Sequence, residues 1–119
     1  LPIQYAFSFP QRLPLKGERL DLFKTQDLQF FEPDYKKFKC LQLCFDAIRK
    51  GGNMSCIVNA ANEIVNAGFR RGECGFLQMA DIIEEVMAKA TFDSQPDLDV
   101  YLQTDAEARR IATELMHHI

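Results

Sequence analysis

Basic residues do not outnumber acidic ones in this chain, no stretch of it reaches the length of a membrane span, and its glycines never gather into a phosphate-binding turn. Each absence excludes something. Fourteen Lys and Arg against 17 Asp and Glu leave a net charge of -3, so there is no electrostatic reason to bind nucleic acid or an anionic membrane, and neither is expected as a partner. A transmembrane helix needs about 18 to 20 uninterrupted apolar residues, and none are found. Gln4, Pro2 and Pro10 stand where a secretory leader would carry its basic region, so the expectation is a cytoplasmic protein. A dinucleotide site needs a glycine-rich turn between a strand and a helix, but Gly51-Gly52 closes one helical pattern and opens another. GxxxxGK[ST], HExxH and a nucleophile elbow are all missing. Cys40, Cys44, Cys56 and Cys74 have neither CxxC nor finger spacing, which favours buried free thiols over zinc or disulfides. The residues themselves nominate no catalytic, cofactor-binding or metal-binding position.

What is present is an ordinary globular composition, 47% hydrophobic and 26% charged over 119 residues, enough for one domain or one domain with an arm. The chain opens on Leu inside what reads as an element, so it is expected to be a piece of something longer. Its most regular stretch is 55–69. At about 100° per residue, Met54, Ile57, Val58, Ala61, Ile64, Val65, Gly68 and Phe69 share one apolar face, and Asn59, Asn62, Glu63, Asn66 and Arg70 form a narrow opposite stripe. Asn is worse than Ala inside a helix by roughly 0.6 kcal/mol, so three in eight residues are not there for helix propensity. Two readings stay open: a solvated face, or a hydrogen-bonding seam onto which a segment with unpaired peptide groups docks. Burial of the stripe separates them.

The remaining elements follow from punctuation. Ile3, Ala6 and Phe7 at helical spacing predict a short helix that starts at Pro2 and ends before Pro10. Leu20–Phe23 and Leu28–Phe31 alternate partially and read as two short strand pieces, too short to be stable without a sheet to join. With Tyr5, Phe7, Phe9, Phe23, Phe30, Phe31 and Tyr35, the arm over residues 1–37 is too aromatic for a solvated linker. It either packs on the domain that follows or belongs to a sheet supplied by another chain or another part of this one. From residue 38 on, four helices are predicted. The first presents Leu41, Cys44, Phe45 and Ile48 and stops at Gly51-Gly52; the second is capped by Asn53 or Ser55 and ends at Gly72. The third spans 79–90; 97–102 is a helical turn, and Thr104 with Glu107 has capping-box spacing for the last helix. Glu84-Glu85 reads as solvated face, Asp105 and Glu107 as carboxylates at a helix start, and His117 and His118 as an exposed tail. The fold class is mainly α: a four-helix bundle-like domain over 38–119, preceded by the arm with its short helix and one or two strands.

Pro2-Ile3 with an aromatic helix and Pro10, Leu20-Asp21-Leu22, Leu28-Gln29-Phe30 with Pro33-Asp34-Tyr35, Lys39-Cys40-Leu41, Asn59-Ala60-Ala61-Asn62-Glu63, Asp81-Ile82 and Asp105-Ala106-Glu107-Ala108-Arg109 occur in this order. Over essentially its whole length the chain resembles the C-terminal part of the 1-deoxy-D-xylulose 5-phosphate reductoisomerase family. Lys39 departs from the family, which commonly has Pro there, and the difference falls at a helix start. The resemblance implies a helical C-terminal bundle joined by the arm to a central catalytic domain, whose sheet the two strand pieces would extend or flank. It also implies, for the complete enzyme, NADPH, a divalent cation such as Mg, Mn or Co held by one Asp and two Glu, and a homodimer. None of those ligands maps onto a position here. The implied role is buttressing, inactive alone, with Asn59, Asn62, Glu63 and Asn66 as the candidate interdomain docking face and residues 1–37 prone to self-association. The alternative is a free-standing helical interaction module.

Overall fold

The computed structural model describes residues 2–14, 16–25 and 28–117, and the chain divides into two compact units, residues 1–32 and 33–119. In the first unit α1 runs Pro2–Ser8, as the two prolines dictate. The Ser8 hydroxyl ends it by donating to the Gln11 carbonyl at 2.6 Å, and Tyr5 meets the Phe9 ring edge-on at 5.7 Å. Neither expected strand forms among the described residues. The first run is instead a turn. The Asp21 carboxylate accepts from the Phe23 backbone N–H at 3.0 Å, and its carbonyl accepts from the N–H groups of Lys24 and Thr25. A side chain that captures nearby N–H groups competes with a strand ladder, and a four-residue run with no partner strand loses that competition. Leu28–Phe31 has no ladder partner either, and Phe23, Phe30 and Phe31 are almost fully exposed.

The second unit holds the core. α2 is Lys39–Lys50, α3 Met54–Arg71, α4 Phe76–Lys89 and α5 Leu98–His117. α3 lies at the centre, packed against the other three helices. Its apolar face is the expected one in part: Met54, Ile57, Ala61, Val65 and Gly68 are buried, joined by Ala60, whereas Val58 and Ile64 are half-buried and Phe69 is exposed. Ile82, Ile83 and Val86 come from α4, and Ala108, Ile111, Ala112 and Met116 from α5. Gly68 lets α5 come close, since a Cβ there would lie 2.5 Å from the Met116 sulfur. Gly72 closes α3 in the left-handed region at φ 78°, its N–H and that of Glu73 reaching back to the carbonyls of Phe69 and Gly68.

Five local expectations are corrected. In α2 the buried residues are Leu43 and Ala47, whereas Leu41, Phe45 and Ile48 are 39%, 41% and 70% exposed, so the face chosen from the sequence is mostly the outer one. The thiols follow: Cys74 is buried, Cys56 half-buried, and Cys40 and Cys44 exposed. α4 starts at Phe76, three residues earlier than expected, because the Gln78 side chain accepts from the Gly75 N–H at 2.6 Å. α5 starts at Leu98, where Asp97 accepts from the Val100 N–H at 2.9 Å. Thr104 is therefore mid-helix and buried rather than a cap. Asn53 does precede α3, but its side chain does not cap it. His117 is exposed; His118 lies outside the described residues.

Candidate functional site

The Asn-rich stripe of α3 is the place where sequence and structure can be compared most directly. Asn59, Asn62, Glu63 and Asn66 are all exposed within this chain. They do not act as one surface. Glu63 turns toward α5, where its carboxylate accepts from the Arg109 guanidinium at 2.6 Å. Arg109 also makes a bidentate pair with Asp105, one turn earlier on α5, at 2.7 and 3.1 Å. The Asp105 contact first and Glu63 second raise the Arg109 pKa, which fixes a charge already permanent near neutral pH. This network clamps the middle of α3 to α5.

Asn59 and Asn62 turn the other way. With Ser55 and Val58 they form one wall of a groove of about 320 Å³, whose other wall is Cys40, Cys44 and Ile48 of α2 and whose floor is Ala47 and Ile83. No lining residue is charged. Asn66 is exposed but is not among the lining residues. The sequence reading missed the α2 wall because Cys40 and Cys44, four apart and so on one side of the helix, were counted as core. Partial desolvation against its neighbours, and then the nearby Cys44, push the thiol of the exposed Cys40 up. Burial likewise raises Cys56, whose thiol points at the Tyr101 carbonyl at 3.7 Å.

At the N-terminal end of α3 sits a second polar centre that was also missed. Asn53 is 1% exposed. Its amide nitrogen donates to the Thr91 carbonyl at 2.9 Å and the Thr104 hydroxyl at 2.8 Å, and its amide oxygen accepts from the Asp93 N–H at 2.9 Å. These bonds join α3, the 91–93 loop and α5, and use both donors of the amide and one of the two lone pairs of its oxygen. Among the described residues no three His, Cys, Asp or Glu side chains come together in a metal-binding group. No described helix is long and apolar enough to cross a membrane.

Residues 1–111 match the family model described as the DXP reductoisomerase C-terminal domain. The 1-deoxy-D-xylulose 5-phosphate reductoisomerases of Bacteroides fragilis and Bacteroides thetaiotaomicron are each 53% identical over 116 residues, which is 98% of this chain and 30% of theirs. A solved reductoisomerase from Zymomonas mobilis, in complex with NADPH, superposes with a TM-score of 0.85 at 36% identity, over 97% of this chain and 30% of that one. Another, solved with NADPH, fosmidomycin and magnesium, gives 0.87 at 28% identity, over 98% of this chain and 31% of that one. The chain thus spans about 30% of the length of the curated relatives it matches. On that agreement of sequence and fold, it belongs to the family of DXP reductoisomerase C-terminal domains.

Proposed function

We propose that this chain is the C-terminal portion of a cytoplasmic 1-deoxy-D-xylulose 5-phosphate reductoisomerase. The complete form would convert that sugar phosphate to 2-C-methyl-D-erythritol 4-phosphate with NADPH and a divalent cation in non-mevalonate isoprenoid synthesis. The observation that carries the reading is the match over 98% of this chain to relatives of which it spans only 30%. The residues present do not fit the ion or the coenzyme: the described acids form no ligand group, and Gly51-Gly52 joins two helices without a preceding strand. The role of this chain is then buttressing. Residues 1–37 serve as the tether to the catalytic part and 38–119 as the bundle; of the expected docking residues Asn59, Asn62, Glu63 and Asn66, the docking face is narrowed to Asn59 and Asn62, since Glu63 is engaged by Arg109 and Asn66 lies outside the groove. The complete enzyme acts as a homodimer, and this chain alone self-associates through the arm, whose Phe7, Phe23, Phe30 and Phe31 are more than four-fifths exposed.

Expression of the complete reading frame tests this. The whole product consumes NADPH when given the sugar phosphate and magnesium, and the 119-residue chain consumes none. Turnover by the purified chain would overturn the buttressing role, and a native start codon at Leu1 with no upstream nucleotide-binding half would favour the free-standing interaction module.

A further inference from the structure

α2 is apolar over a wider arc than the fold uses. Leu43 and Ala47 are buried, yet Leu41, Cys44, Phe45 and Ile48 continue the apolar surface outward, Leu41 and Phe45 partly covered, Cys44 exposed and Ile48 70% exposed. That uncovered arc leads straight into the groove walled by Asn59 and Asn62. The side-chain hydrogen bonds of α2 and α3 among the described residues run to Asp46, Asp81, Glu63, Glu73, Tyr101 and the Asn53 centre, and none involves either amide. A groove with an apolar floor, no charge and one wall of unpaired amides selects its occupant. An extended segment alternates side chains toward the floor while its peptide groups meet the two donors and one acceptor of each amide. A helix has its peptide groups already bonded internally and answers those amides only through side chains, as the same face of a second copy would with its own Asn59 and Asn62; the mass of the cross-link below separates that case. A charged segment would find no counter-charge.

We propose that the groove between α2 and α3 seats an extended, uncharged segment of the same polypeptide, drawn from the portion of its length outside these 119 residues. The source rests on the reading in the preceding subsection, since relatives extend well beyond the matched 30%. Seated there, the segment covers Cys40 and Cys44, which gives the proposal its readout.

In the complete enzyme, maleimide labelling of Cys40 and Cys44, followed by peptide mass spectrometry, is compared with labelling of the same thiols in denaturant. Coverage predicts native rates slower by at least about tenfold at both positions. Asn62→Ala raises the native rates at both thiols together while Cys74 stays protected, a pattern that general destabilisation does not give. A photoreactive benzoyl-phenylalanine in place of Ser55, on the groove wall, joins to a peptide upstream of Leu1 within one polypeptide. Native rates equal to those in denaturant, or a cross-link of doubled mass to a second copy, would overturn the seat. Because the same preparation is assayed for NADPH consumption, an active enzyme with unprotected thiols refutes the groove alone, and an inactive one refutes the reading it rests on.

Discussion

Asn53 has no role in the recurring Asn stripe, yet it holds more of the fold than any other side chain there. Replacing it by Ala leaves the half-buried Asp93 N–H and the buried Thr104 hydroxyl without their partners. The expected loss in urea unfolding of the chain is about 3 kcal/mol, the scale of one or two stranded polar groups. Asn62→Ala in the same chain, at an exposed position, shifts stability by less than about 0.5 kcal/mol. Next door, Gly52 sits at φ 55° with the Asp93 carbonyl oxygen only 2.1 Å from where a Cβ would be, whereas Gly72 at φ 78° has open space. Gly72→Ala meets only the left-handed strain, about 1 kcal/mol. Gly52→Ala meets the strain and a backbone clash, and is expected to lower the unfolding midpoint severalfold further. Equal effects of the two substitutions would show that the loop at Asp93 yields freely.

At the scale of elements, what was legible was whatever depended on period and punctuation. α3 came through because its apolar face is flanked by Gly on both sides, and α1 because two prolines bracket it. α2 did not: Leu43 and Ala47 are a smaller apolar pair than Leu41, Phe45 and Ile48, and periodicity alone favours the larger face even where no neighbour covers it. The groove was half legible for the same reason, its amide wall visible in the sequence and its thiol wall mistaken for core. The strand pieces failed because alternation describes a surface that fits a sheet, and a sheet is a long-range partner. Lys39 opens α2 and reaches across to Asp81 and Glu84 of α4 at 2.7 Å each. The hydrogen bond it donates to Asp81, then that to Glu84, raises its pKa above the ordinary 10.5. A raised folded value means that the stabilisation is present below the ordinary lysine range and is lost as pH rises through the folded one. With the pair more than one-third exposed, Lys39→Met should cost about 0.5 kcal/mol near neutral pH. Its stability and the parent's should converge in strong alkali, and a gap that persists there would mean that packing, not charge, was lost.

Across the whole molecule the division of labour is plain: every residue of the core cluster falls between Leu43 and Met116, and α1 buries nothing. Removing residues 1–32 is therefore expected to leave the thermal midpoint within a few degrees and to abolish self-association in sedimentation velocity. A chain that is monomeric with the arm in place, or a bundle that melts without it, contradicts this. The bundle is also locked differently at its two ends, by amide hydrogen bonds around Asn53 and by a thioether laid against bare backbone at Gly68. The second lock carries a chemical vulnerability the first does not. Peroxide that turns Met116 into its sulfoxide adds a polar oxygen where not even a methyl group has room, so ageing in an oxidant would unzip the helices from the Gly68 end and leave the Asn53 end fastened.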